Sequence, residues 1–243
     1  MTQPLALVTG GAQRLGKAFA LSLARMGFDI LLHYHSSADE AQRTKAEIES
    51  IGRQAYLLQA DLSNPEEITS LFSQVNSIFH LSSFIFRVLV NSASLMPVGH
   101  PRDLPLEAWD AALDLNLRAP FLLSQEAAKL MTDGGLIVNV TDIGAGKAWS
   151  RYPSYAVSKS ALESLTKVLA RAFAPSIRVN AIAPGLVLPS DVVTPEEWER
   201  LVSRLPLKRP ARSEEIASAL EFLVKNEYVT GQTIVVDGGY SLV

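Results

Sequence analysis

The sequence predicts an α/β fold, a single doubly wound parallel sheet of about seven strands with helices on both faces. Two observations predict it. Short apolar runs of four to eight residues recur along the whole chain without the polar alternation of a half-exposed strand, which marks strands buried on both faces. Longer helical patterns separate them, and regular β–α alternation means a parallel sheet covered by helices. The length of 243 residues suits one domain, residues 1–243, and no linker, repeat or low-complexity tract divides it.

The elements follow in order. Leu5–Thr9 is the first strand, and Ala18, Leu21, Ala24 and Arg25 then recur at helical spacings of three and four. Asp29–Tyr34 is the second strand. Ser37-Ala-Asp-Glu40 reads as a capping box opening a helix. Gln54–Ala60 is the third strand, with a helix from Pro65, and Arg87–Asn91 is the fourth. The longest apolar stretch, Ile78 to Val90, is broken by His80, Ser82, Ser83 and Arg87, and is too short and too polar to span a bilayer. Leu136–Thr141 is the fifth strand, followed by helical spacing at Leu162, Leu165, Val168, Leu169 and Ala172. Ile177–Ala183 and Thr233–Val236 complete the sheet. Prolines cluster over 184–210, the one long segment without strand pattern. It is expected to hold a short helix at Pro195–Arg204 and otherwise a mobile loop, with 186–204 a lid over a substrate.

Composition excludes several functions. Lys and Arg total 22 against 25 Asp and Glu, a net −3, so there is no footprint for nucleic acid. The 48% hydrophobic and 19% charged content is that of a globular chain. There is no cysteine, which removes disulfides, thiolate metal sites and a Cys nucleophile. The start, MTQPLALVTGG, lacks a basic n-region, so no targeting segment is expected. A soluble, cytoplasmic protein without a membrane or metal partner is the expectation.

The first strand runs into Thr9-Gly10-Gly11-Ala12-Gln13-Arg14-Leu15-Gly16, and a helix follows. Glycines permit the tight turn and let backbone N–H groups approach a pyrophosphate, where the helix N-terminus adds partial positive charge. The other reading is an ordinary strand-to-helix turn. An NAD site wants Asp or Glu about 20 residues further on. This chain has none at 33–37, where Leu32-His33-Tyr34-His35-Ser36-Ser37 leaves room for a 2′-phosphate. His33, Ser36 and Ser37 are candidate donors to it, with Arg14 supplying charge, so NADP(H) is expected over NAD(H). Alternatively the histidines are strand residues and Ser37 only a cap. Asp61 is a candidate for the adenine, or else caps the helix at Pro65.

The run Leu136 to Asp142 is a strand ending in a carboxylate. Tyr155-Ala-Val-Ser-Lys159 follows, and residues four apart on a helix share one face. An ammonium beside a phenol stabilises phenolate and brings its pKa below the ordinary value of about 10, giving a proton donor usable near neutral pH. A surface pair is the alternative.

Together these pieces resemble the short-chain dehydrogenase/reductase family over essentially the full length. The matching residues are Thr9 to Gly16, Asp61-Leu62, Asn91-Ser92-Ala93, Asn116, Asp142, Tyr155, Lys159, Pro184-Gly185 and Val236-Asp237-Gly238-Gly239. The resemblance implies one Rossmann-type domain, hydride transfer between nicotinamide C4 and a substrate carbon, and a homo-oligomer, a tetramer more often than a dimer. It implies Tyr155 as general acid/base, Lys159 holding the nicotinamide ribose and tuning Tyr155, and Asn116 anchoring a water that relays protons to Lys159. Thr9 and Asn91 would support the cofactor region.

Arg14 stands where most members have Gly, and Asp142 where most have Ser. With the HYHSS stretch and the DGGYSL ending, these make the chain similar to the pteridine reductases and dihydromonapterin reductases. That resemblance implies Arg14 reaching toward cofactor phosphates and pterin, with Asp142 working with the tyrosine. Met96 stands where the subgroup stacks its ligand on an aromatic ring, and Ser36 where it has a phosphate-binding Arg. An ionised Asp142 would repel a developing alkoxide, so it is protonated or acts on something other than a carbonyl. A C=N bond, whose nitrogen takes up a proton, is such a target. Capping of the Ile143-Gly144 loop is its other possible role. The expected pocket wall is Leu95, Met96, Ile143, Trp149, Tyr152, Leu186, Leu188 and Trp198, the tryptophans replacing the missing ring or packing the lid.

The leading reading is an NADPH-dependent reductase of a pterin-like C=N heterocycle. A carbonyl reductase of 3-oxoacyl thioesters or small ketones is the second, with Arg151, Lys208, Arg209 and Arg212 as candidate carrier contacts or ordinary surface cations. A non-catalytic cofactor sensor is the third, and it has no need of a proton donor.

Overall fold

The computed structural model describes residues 3–81, 84–147, 149–190 and 192–243. Ser82 and Ser83 of the interrupted apolar stretch, Asp191 of the expected lid, and Met1 and Thr2 lie outside the described residues. Seven strands, β1 (Gln3–Val8), β2 (Asp29–Tyr34), β3 (Ala55–Gln59), β4 (Phe84–Asn91), β5 (Gly135–Val140), β6 (Ile177–Pro184) and β7 (Thr233–Val236), form one sheet in the order β3-β2-β1-β4-β5-β6-β7. Every neighbouring pair is parallel.

Among the described residues eight α-helices connect them: α1 (Arg14–Arg25), α2 (Ala38–Ser50), α3 (Pro65–Leu81), α4 (Leu106–Leu113), α5 (Ala119–Leu130), α6 (Pro153–Phe173), α7 (Pro195–Arg204) and α8 (Ser213–Lys225). Alternate strand residues face opposite layers. Ala6 and Val8 join Phe19 and Leu23 of α1 and Ile216 and Leu220 of α8. Leu5 and Leu7 join Leu71 and Phe72 of α3 and Leu123 of α5. A strand packed on both sides carries no polar alternation, which is why the runs read as they do. Among the described residues no helix is long and apolar enough to cross a membrane.

The bounds of β2, β7 and α7 are those expected from sequence. Between α4 and α5 the chain makes a π-helical turn, Asp114–Arg118, which sequence periodicity did not reveal. The expected capping box does not form. Ser37 makes no cap hydrogen bond; its hydroxyl accepts from Gln13 Nε2 at 3.3 Å, and Glu40 pairs with Arg43 at 2.7 Å.

The chain runs outward from β1 through β2 to β3, then returns to β4 on the other side of β1. The loops after β1 and β4 therefore diverge, and the resulting crevice at the carboxyl ends of the strands is where such sheets bind ligands.

Candidate active site

Thr9 follows β1 and fastens both sides of that crevice. Its hydroxyl accepts from the backbone N–H of Ser92 at 2.9 Å and of Ala93 at 3.1 Å. Gly10 has φ +61°, and a Cβ there would meet the Ala93 backbone at 3.0 Å. A Cβ on Gly16 would run into the Gly10 carbonyl oxygen. The turn thus requires glycine at both places, and it leaves the N-terminus of α1 open to the crevice. Gly11 instead faces Leu32, beneath the turn.

His33 departs from its expected role. It is buried, its Nδ1 accepts from the Gly10 N–H at 3.1 Å, and its Nε2 lies 3.0 Å from the Ala60 carbonyl. Burial lowers its pKa to about 4, so it is neutral and has no donor left for a phosphate. It supports the turn from below. Ser36 is exposed and Ser37 half-buried. The Asp61 carboxylate accepts from the Ser63 N–H and hydroxyl at 2.9 and 2.7 Å, closing a local turn, and the helix at Pro65 is capped instead by Asn64 Oδ1, which accepts from the Glu66 N–H at 3.0 Å. Leu62 is buried in the core.

Arg14 has φ +52°, a left-handed conformation unusual for a residue other than glycine. Its guanidinium donates to the carbonyls of Leu188 and Pro189 at 3.2 and 3.0 Å. It joins the glycine turn to the start of the 186–204 segment.

The reacting centre forms where β5, the turn after it and α6 meet. Tyr155 Oη donates to Asp142 Oδ2 at 2.9 Å, and Asp142 Oδ1 accepts from the Gly144 N–H at 2.6 Å. Asp142 therefore caps its loop and engages the tyrosine, both roles weighed from sequence. Lys159 is buried and donates to the Val140 carbonyl at 2.7 Å. Its ammonium lies 5.7 Å from the Tyr155 ring centre. The expected lowering of the tyrosine pKa is corrected here. Burial and then the adjacent carboxylate push Tyr155 well above its ordinary value, because phenolate beside Asp142 would place two negative charges together. Burial also raises Asp142, and it lowers Lys159 to about 8.

Asn116 sits in the π-helical turn, fully buried. Its amide makes four hydrogen bonds: it accepts from Ser94 Oγ and the Leu95 N–H and donates to the Leu95 carbonyl and Ser158 Oγ. The side chain is fully occupied and ties the 94–95 loop to α6; it has no valence left for the expected water. Asn91 donates to Asn139 Oδ1 at 2.8 Å, below the crevice floor.

A cavity of about 1100 Å³ opens over this centre. Its wall carries Gly10, Gln13, Arg14, Leu15, Gly16, Ser92, Ala93, Lys159, Pro184 and Gly185 from the cofactor candidates, and Met96, Asp142, Trp149, Tyr155, Leu188 and Trp198 from the substrate candidates. Ile143, Tyr152 and Leu186 join them, but Leu95 does not, its backbone being held by Asn116. Sequence reasoning missed Tyr240, Glu197, Arg200, Leu201 and Arg204, all on the cavity wall. The DGGYSL ending was a visible signal for Tyr240, whose ring lies 6.4 Å from that of Trp149. No cluster of potential metal ligands occurs among the described residues.

The glycine cradle and the open α1 N-terminus fit the pyrophosphate of a dinucleotide. A family model described as "Enoyl-(Acyl carrier protein) reductase" matches residues 10–241. The chain is 36% identical to 1-cyclohexenylcarbonyl-CoA reductase of Streptomyces collinus, over 98% of this chain and 87% of the relative. It is 33% identical to a 3-oxoacyl-[acyl-carrier-protein] reductase of Synechocystis sp., over 98% and 97%. Among solved structures, FolM alternative dihydrofolate reductase 1 from Brucella canis, complexed with NADP, superposes with a TM-score of 0.91 at 38% identity, covering 99% of this chain and 94% of that one.

Proposed function

The chain belongs to the short-chain dehydrogenase/reductase family of oxidoreductases, and from that premise we propose that it uses NADPH, in preference to NADH, to reduce a C=N bond of a pterin-like heterocycle. The observation that carries this reading is the Asp142–Tyr155 pair at the cavity floor. Bound NADPH supplies the hydride. Tyr155, kept protonated by burial and by Asp142, donates its proton to the substrate nitrogen. Asp142, itself raised by burial, shares that proton and accepts from an amino substituent on the ring. Lys159, at about 8, holds positive charge beside them at neutral pH and orients the cofactor ribose. Asn116 positions the 94–95 loop and α6 rather than holding water through its side chain.

Arg14, Ser36 and Ser37 are the groups proposed to favour the 2′-phosphate, and residues 186–204 are proposed as the lid. The similarity to a solved dihydrofolate reductase complexed with NADP supports both substrate and cofactor. Exposed Phe121 on α5 and Val157 and Val168 on α6, with Phe222 on α8 and Val235 on β7, offer two apolar faces, as a homotetramer would use.

Reduction of a 3-oxoacyl thioester is the second reading, favoured by the Synechocystis relative. The test offers NADPH with dihydrobiopterin, dihydromonapterin or acetoacetyl-CoA and follows the reduced nicotinamide. Pterin turnover is expected. Turnover of the thioester alone replaces the first reading with the second.

A further inference from the structure

The cavity wall also carries Tyr240 and residues of α7 that the proposed reaction itself does not use. There α7 presents Glu197, Trp198, Arg200, Leu201 and Arg204 to the wall. The charge of Glu197 is matched from outside the helix, since Arg151 Nη1 reaches its two oxygens at 3.0 and 3.4 Å. Arg200 approaches the same carboxylate only at 4.0 Å. Among the described residues Arg204 has no side-chain hydrogen bond or ion pair. Positions 200 and 204 are one turn apart and share a face. Tyr240 lines the same cavity, its ring 6.4 Å from that of Trp149; its hydroxyl is raised mainly by burial, with Arg204 pulling it down and Asp142 pushing it up. Arg204 complements the α7 dipole from the last turn, but that role does not require it to face a cavity.

We propose that Arg200 and Arg204 bind an anionic group, a carboxylate or a phosphate, at the far end of a substrate whose reacting end lies against Tyr155 and Asp142. Trp198 and Leu201 between them pack on the uncharged middle of that molecule. Arginine suits the task because its planar fork pairs with either anion through two parallel hydrogen bonds. The phosphates of the cofactor belong to other wall residues, those of the glycine turn. The inference deepens the proposed function and rests on its placement of the reacting end.

The test compares substrates in pairs that share a reacting end. Dihydrofolate carries carboxylates and dihydrobiopterin an uncharged side chain; acetoacetyl-CoA carries phosphates and the acetoacetyl thioester of N-acetylcysteamine none. In R200Q, R204Q and the double variant, the ratio of kcat/KM for the anionic to the uncharged member is expected to fall roughly tenfold per arginine, through KM. R204K, which keeps the charge, is expected to recover part of the ratio. A response in the pterin pair identifies a carboxylate, and one in the thioester pair a phosphate. Should only thioesters turn over, the pterin reading fails while the anion site is still judged on the second pair. A ratio unchanged in the double variant, or no turnover of either anionic member, overturns it.

Discussion

The hydroxyl of Tyr155 donates to one oxygen of Asp142 at 2.9 Å while the Gly144 N–H holds the other at 2.6 Å. The carboxylate is therefore fixed by the backbone and aimed at the phenol. A serine hydroxyl at that position would be neutral and would not share a proton with the phenol in the same way. Changing Tyr155 to Phe removes the donor and keeps the ring. The expected result is a fall in kcat of at least about 100-fold, with NADPH affinity, read by nicotinamide fluorescence, retained. Comparable loss of both would make Tyr155 a binding residue.

Lys159 sets an alkaline limit. Its ammonium form predominates below about 8 and is lost as pH rises through that value. The kcat profile is expected to decline above pH 8 along a single ionisation. A flat profile through pH 9.5 would show that the charge is not needed.

His33 connects the glycine turn to acid stability. Its native pKa is about 4 against an ordinary 6.5, so between these values the unfolded chain binds a proton that the folded chain refuses. Stability is complete above pH 6.5 and falls as pH drops toward 4. At about 1.4 kcal/mol per pH unit the loss is roughly 3 kcal/mol. Urea unfolding at pH 7 and pH 4 is expected to show a larger decrease for the wild type than for H33Q. Equal decreases would remove His33 as the cause.

Much of this was legible beforehand, for identifiable reasons. The bounds of β2 and β7 are legible because their apolar runs give way to His-Ser and Asp-Gly, and the start of α7 because Thr194 caps it and Pro195 opens it. Tyr155 and Lys159 fall on one face of α6 because they are four residues apart on a helix. What sequence could not carry was direction and burial. His33 points under the turn, not out to a phosphate. The Tyr155 phenol answers to a carboxylate from another element more than to its own helix's lysine. Tyr240, Arg200 and Arg204 reach the cavity through the folding of the last third of the chain over the sheet edge, which has no local signature.

Arg14 holds two opposing effects. Its left-handed backbone is strained, and its side chain fastens the Leu188 and Pro189 carbonyls. Replacement by Gly is expected to relieve about 1 kcal/mol of strain while freeing the lid. The signature is an unchanged or slightly raised Tm together with faster tryptic cleavage within 186–204. Slower cleavage would place the restraint elsewhere.

The central claim is that Asp142 and Tyr155 act together on a C=N bond. The most direct measurement is NADPH oxidation with dihydrobiopterin by the wild type and by D142S, with NADPH affinity measured in both. The account predicts turnover by the wild type and a loss of about 100-fold or more in D142S at preserved affinity. An equal rate in the two proteins would contradict it.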